Sequence, residues 1–182
     1  MSDNKRLVKW IGSITEEGFD RVLGEILKFQ NEAPKELIEM YLCSDGGSTD
    51  VGLAFYDAIQ HYKPRLVIVG SGAVGSIAPI ILAAGEIRVL TEHTSLYFHN
   101  FRITNLGAEG PLERKVLLAS AKDIEMQMAM YREILVTRSM GKLTRRKLWT
   151  LMECNSFISV KKAIALGFAD FMADKSEFKL GK

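Results

Sequence analysis

Short apolar runs alternate with longer stretches of helical periodicity along most of this chain. Leu7-Val8-Lys9-Trp10-Ile11 predicts a first strand, and Ser13-Ile14-Thr15-Glu16 has the spacing of a capping box that opens a helix. Phe19, Val22, Leu23, Ile26 and Leu27 recur at helical intervals and give that helix one apolar face. Pro34 follows its end, and Leu37 to Cys43 predicts a second strand. After the loop Ser44-Asp45-Gly46-Gly47-Ser48-Thr49, Thr49 or Asp50 can cap a helix running through Gln60. Leu66-Val67-Ile68-Val69 is short and largely β-branched, lies between Pro64 and glycine, and predicts a buried strand. Ile87–Leu90 and Leu96-Tyr97-Phe98-His99 predict two more.

From Pro111 to Met140 the pattern becomes that of one long helix, stopped by Gly141. It is longer than a compact domain of this size needs, so part of it is expected to pack on a neighbouring subunit. A short helix around Thr144–Met152 follows, then one capped by Ser159 and ended by Gly167, then a final strand Phe168-Ala169-Asp170-Phe171. Repeated strand–helix alternation predicts an α/β fold with a mostly parallel sheet. At 182 residues, with no repeat or linker, the chain makes one domain with a substantial core.

The stretch Gly70-Ser71-Gly72-Ala73-Val74-Gly75-Ser76 joins a strand to an apolar, uncharged helix that ends at Gly85. Ser76 therefore falls at a helix start, where unpaired N–H groups favour negative charge. Two chemistries want that geometry: a phosphate cradle, and a serine nucleophile with an oxyanion hole. Gly70-x-Gly72-x-x-Gly75, with Glu92 about twenty residues on, satisfies the dinucleotide fingerprint. Against it, the fingerprint comes after two strand–helix units, and mainly one long helix follows. A glycine turn that merely lets helix and strand approach, with Ser76 as a cap, is also compatible.

Composition narrows the field. A net charge of +2 with no obviously basic face argues against a nucleic-acid binder. The two cysteines, Cys43 and Cys154, fit neither a disulfide framework nor a metal-ligand spacing, and no metal motif is present, so neither metal nor cofactor is expected. No run has the character of a signal peptide or the length of a membrane span, and a cytoplasmic protein is the expectation.

Several stretches stand in a fixed order: Ser44-Asp45-Gly46-Gly47-Ser48 with the helix Gly52 to Ile59, Ser76 nine residues before Gly85, Leu96-Tyr97-Phe98-His99, and Ala163-Ile164-Ala165-Leu166-Gly167-Phe168-Ala169-Asp170. Together they resemble the proteolytic subunit of the Clp protease. The resemblance runs from about Val8 to Asp170 in family order. It implies the Clp/crotonase-like α/β fold, a spiral of strand–strand–helix repeats. Residues 1–182 would form one domain, with a head of about 1–100 and 142–182 and a protruding handle helix within about 101–141. It implies Ser76 as nucleophile and His99 as general base, with oxyanion donors from Gly47 and from the backbone N–H of Ile77, and with Gly46 and Ser48 completing the oxyanion and substrate-binding set. His61 and His93 match no family site and are read as surface residues.

Four departures accompany the match. Asn155, in Asn155-Ser156-Phe157-Ile158-Ser159, stands where the family has its triad aspartate. Asp45 replaces a proline after the loop serine, and Asn100-Phe101 replaces Gln-Pro after the histidine, with a long irregular loop from Arg102 to Gly110 beyond. The arginine that couples ring contacts to the triad is Cys154. The N-terminal stretch that lines the axial pore is almost absent, which bears on docking of an AAA+ unfoldase. An asparagine can hold the histidine N–H but brings no charge to the imidazolium. The comparable Asp-to-Asn change in a serine protease costs about ten thousand-fold in turnover.

The resemblance thus implies a serine endopeptidase that cuts unfolded polypeptide into short peptides inside a chamber of two stacked heptameric rings, with weak or conditional activity. A second expectation is a poorly catalytic structural subunit of a mixed ring with an active paralogue. A third is an acyl-CoA enzyme of the related fold, in which the same oxyanion hole would stabilise an enolate.

Overall fold

A computed structural model describes residues 6–101 and 113–173. Its elements, in order, are β1 (Leu7–Ile11), α1 (Glu16–Glu32), β2 (Ile38–Ser44), α2 (Thr49–Tyr62), β3 (Leu66–Gly75), α3 (Ala78–Ala84), β4 (Ile87–Leu90) and β5 (Ser95–Phe98). Then come α4 (Arg114–Arg138), α5 (Arg145–Glu153), β6 (Ser156–Ser159), α6 (Val160–Ala165) and β7 (Phe171–Met172).

The strands form one sheet in the order β1-β2-β3-β4-β7, parallel throughout that path. Helices α1, α2 and α3 make the crossovers between its successive strands, as parallel pairing demands. The sheet forks at β3, whose first half pairs with β4 and whose second half pairs with β5. The alternation in β2 buries Ile38, Met40 and Leu42 in the main core, together with Val8, Trp10, Leu66 and Ile68. On the other face Val67, Val69 and Val89 form a second apolar cluster with Leu37, Tyr41 and Ile87. β3 is thus buried on both faces, which is why it reads as an unbroken apolar run.

The fork corrects the reading of the glycine stretch. Gly70 to Gly75 is strand, not a strand-to-helix loop. Its register against β2 jumps from Leu42↔Gly70 to Ser44↔Val74, a bulge that takes β3 from one partner to the other. Gly72 sits in that bulge at φ +69, and a Cβ on Gly70 would come within 2.8 Å of the Leu90 side chain. Bulge and packing account for these glycines, and the phosphate-cradling turn of a dinucleotide site is not formed there.

Several boundaries also move. Thr15, not Ser13, caps α1 by accepting from the Gly18 N–H, and Ser48, one residue earlier than expected, caps α2 by accepting from the Val51 N–H. α2 continues to Tyr62 and ends at Lys63 in the left-handed region, φ 50. The closing strand is Phe171–Met172, because Gly167 to Asp170 is occupied by a turn and by the Asp170–Arg88 contact. The described long helix is Arg114–Arg138, and the expected start at Pro111 lies outside the described residues.

Arg88 is almost fully buried, and its guanidinium is met by both Asp170 oxygens and by the Arg138 and Gly167 carbonyls. Burial alone would raise the Asp170 pKa, but hydrogen bonds and charge from Arg88, with Arg138 adding, hold it below the ordinary carboxylate value. This ion pair ties β4 to the chain leading into β7.

Helix α3 is buried along its whole length, so its two ends need partners inside the protein. Arg138 of α4 supplies them at the C-terminus, donating from Nε to the Ala83 carbonyl at 2.9 Å and from Nη2 to the Gly85 carbonyl at 2.5 Å. Only Tyr131 and Leu135 of α4 are buried, and Val116, Leu117 and Leu118 in its N-terminal part are exposed.

Candidate active site

The site is built where β3 ends, at the start of α3, against the end of β5. Ser76 adopts φ 56, the left-handed conformation that few non-glycine residues take. Its N–H continues the β3–β5 ladder by donating to the Tyr97 carbonyl at 2.9 Å, while its carbonyl accepts from the Tyr131 hydroxyl at 2.9 Å. Both backbone groups being held, the sharp turn lifts the side chain out of the sheet. Its Oγ lies 2.8 Å from His99 Nε2. Two residues 23 apart in sequence meet because β5 lies alongside the second half of β3.

His99 follows the last residue of β5. Its Nδ1 lies 2.5 Å from the backbone carbonyl of Asn100. That contact assigns the proton to Nδ1 and leaves the Nε2 lone pair facing the serine, the tautomer a general base requires. The imidazole also stacks on Tyr97, with ring centroids 5.3 Å apart, and Tyr97 stacks on Phe157 at 4.3 Å. The Asn100 side chain is turned the other way and donates to Glu153 at 2.7 Å.

Among the described residues no hydrogen bond joins Asn155 to His99, whose two ring nitrogens face Asn100 and Ser76. β6 runs antiparallel to β5, and the ladder ends with Phe98 opposite Ser156, one residue short of His99 on one strand and of Asn155 on the other. Asn155 is exposed, has φ 46 and terminates α5 by donating its N–H to the Met152 carbonyl. The acceptor at Nδ1 is therefore a neutral backbone oxygen, and Asn155 does not hold the ring as the resemblance implied. Strand β6 itself was missing from the sequence expectation. It is four residues long with an exposed Phe157, and offers little apolar alternation to find it by.

The loop after β2 lines the other side of Ser76. A Cβ on Gly46 would lie 2.4 Å from the Ser76 Cβ, so no larger residue fits against the serine. The Gly46 N–H is donated to Ser44 Oγ, and the Ser48 hydroxyl caps α2. Gly46 and Ser48 thus both have structural partners in the loop that lines Ser76. Gly47 differs. Its neighbours bond Ile14 on both sides, through Gly46 O and Ser48 N–H, while its own N–H has no acceptor among the described residues. The Ile77 N–H, directly after the serine, is likewise without an acceptor. Among the described residues these two backbone donors are thus left unspent, one in the loop after β2 and one directly after Ser76.

His61 and His93 are exposed, as expected of surface residues. Cys43 is half-buried and Cys154 exposed, and both are free. Among the described residues no group of acidic, His or Cys side chains could hold a metal, and no helix is long and apolar enough to cross a membrane. Tyr131 was missed: a tyrosine on the apolar stripe of a helix reads as core, and nothing in its spacing tells that its hydroxyl reaches Ser76.

A family model described as Clp protease matches residues 2–176. The ATP-dependent Clp protease proteolytic subunit of Dehalococcoides mccartyi strain BAV1 is 27% identical over 178 residues, covering 96% of this chain and 86% of that protein. The ATP-dependent Clp protease proteolytic subunit 1 of Prochlorococcus marinus subsp. pastoris is 27% identical over 173 residues, covering 91% and 82%. The match spans the β3–α3 turn, the β5 histidine and the closing helix together, and the chain belongs to the Clp protease family.

Proposed function

We propose that this chain is a serine peptidase subunit that hydrolyses peptide bonds of unfolded polypeptide. The observation that carries the reading is the 2.8 Å contact between Ser76 Oγ and His99 Nε2, made by a serine held in a left-handed turn. As Ser76 Oγ attacks the scissile carbonyl carbon, its proton passes to His99 Nε2. The carbonyl oxygen gains the negative charge and takes hydrogen bonds from the Gly47 and Ile77 N–H groups. His99 then gives its proton to the leaving amine, and an acyl-Ser76 ester remains. Water attacks that ester with His99 again as base, releasing the second peptide and restoring the hydroxyl.

The third position sets the rate. The Asn100 carbonyl fixes the imidazole tautomer but brings no charge to the imidazolium, and Asn155, at the position of the family's aspartate, is neutral too. Slow turnover follows, and the same observation favours the second reading, a subunit whose ring depends on a more active paralogue.

A serine-directed fluorophosphonate tests the reading by intact-mass measurement. One adduct is expected, forming slowly, absent in Ser76→Ala and in His99→Ala. No adduct on assembled wild-type protein would remove the serine mechanism.

Assembly into rings is the accompanying proposal. Leu117 and Leu118 on α4 are 42% and 59% exposed, and Val116 beside them 48%, an apolar cluster that a partner would cover. Light scattering is expected to give a large particle, and the double change Leu117→Asp/Leu118→Asp to weaken association by at least tenfold, about 1.4 kcal/mol. A wild-type monomer over a wide concentration range, without a paralogue present, would exclude self-assembly and leave the mixed ring.

A further inference from the structure

We infer that Tyr131 is a positioning residue for the nucleophile, standing in for a backbone donor that Pro79 removes. The inference rests on the serine peptidase reading above.

A residue at the mouth of a helix normally has its carbonyl taken by an N–H three or four positions on. For Ser76 those positions are Pro79, which has no N–H, and Ile80, whose N–H is donated to the Ile77 carbonyl at 2.9 Å. The Ser76 carbonyl is thus left without a backbone donor at the end of a fully buried helix. The Tyr131 hydroxyl, on a side chain that is 1% exposed, donates to it at 2.9 Å across 55 residues of sequence. Burial pushes the Tyr131 phenol pKa far up, so the hydroxyl keeps its proton throughout the working range.

The same face of α4 grips the other end of α3, where Arg138 binds the Ala83 and Gly85 carbonyls. Tyr131 and Arg138 are two helical turns apart and span the length of α3. α4 therefore braces the helix that carries the nucleophile at its mouth. At that mouth Ser76 is at φ 56, a conformation that persists only where its surroundings over-determine it. With the carbonyl released, the peptide unit between Ser76 and Ile77 can rotate. That unit carries both the serine carbonyl and the Ile77 N–H, so the bond to His99 and one oxyanion donor would be loosened together. The expected cost falls on the chemical step, since neither group binds remote parts of a substrate.

The test is Tyr131→Phe, which deletes one oxygen and keeps the ring against Phe101, its edge-on neighbour at 5.3 Å. In the assembled protein kcat for a small fluorogenic peptide and the rate of fluorophosphonate labelling of Ser76 should both fall about five- to tenfold, with KM within twofold of wild type. Leu135→Ala, which loosens the same helix one turn away without touching Ser76, is the control, compared at temperatures giving equal folded fractions. Its labelling rate should stay within twofold of wild type. Tyr131→Phe labelling at the wild-type rate would overturn the inference, as would Leu135→Ala slowing labelling equally, which would reduce the effect to general loosening. Absence of any labelling in wild type would instead take down the peptidase reading, and this inference with it.

Discussion

Ser76→Ala and His99→Ala are each expected to lower kcat for a small fluorogenic peptide by about a hundredfold, and the double variant by no more than either alone. The size follows from what is missing. In a complete serine triad, loss of the serine or histidine costs roughly two million-fold, while loss of the aspartate alone costs about thirty thousand-fold. The remainder is about a hundredfold, and it is what a serine and histidine deliver over the floor set by oxyanion donors and binding when the third group brings no charge. Here the group behind His99 is the neutral Asn100 carbonyl, so the chain starts from that reduced margin. Non-additivity follows because Ser76 and His99 act through one proton transfer, across the 2.8 Å contact, and removing either end removes it whole. The measurement is steady-state turnover of purified assemblies made in the absence of any paralogue. Turnover undiminished in Ser76→Ala would mean that another nucleophile performs the hydrolysis, and additive losses that Ser76 and His99 do not act through one proton transfer.

The parts legible in the sequence are those with local signatures. Apolar runs and caps located β1, α1, β2, α2 and α3 to within a few residues, since each packs one regular face on the core. Ser76 and His99 were found because motif order brings them into register with a known family, not because periodicity shows that two residues 23 apart will touch. The long-range features were not legible. The fork in the sheet depends on a bulge at Gly72, which a linear pattern of glycines cannot distinguish from a turn. Whether the histidine proton goes to Asn100 or Asn155 depends on a loop conformation at the end of β5, and both acceptors are amide oxygens. Tyr131 and Arg138 act by reaching across α3, and their partners are backbone carbonyls that carry no residue identity. Side chains that bond to backbone leave no complementary residue in the sequence to be noticed.

Asn155→Asp is expected to raise turnover of the same peptide about ten- to a hundredfold. The β5–β6 ladder ends with Phe98 opposite Ser156, so His99 and residue 155 each follow directly on its last pair, and a carboxylate at 155 is expected to reach the imidazole across the end of the ladder. The new charge would pair with the imidazolium that forms as Ser76 attacks, and it has no positive partner before the proton moves, so it favours the transition state over the ground state. At about 4 Å and an effective dielectric constant near 20, two unit charges attract by roughly 4 kcal/mol, or close to a thousandfold. Position 155 is exposed, and water and salt screen part of that attraction. The Asn100 carbonyl already occupies Nδ1, so the carboxylate must displace it or act from alongside. Both effects reduce the gain to the range stated. In this background Ser76→Ala should cost about a thousandfold or more, because the floor is unchanged while the starting rate has risen. Wild type and variant are compared at equal assembly, so that a shift in association is not read as chemistry. An assembled Asn155→Asp protein no faster than wild type would show that residue 155 cannot serve the histidine, and that charge comes from elsewhere or the site does not work alone.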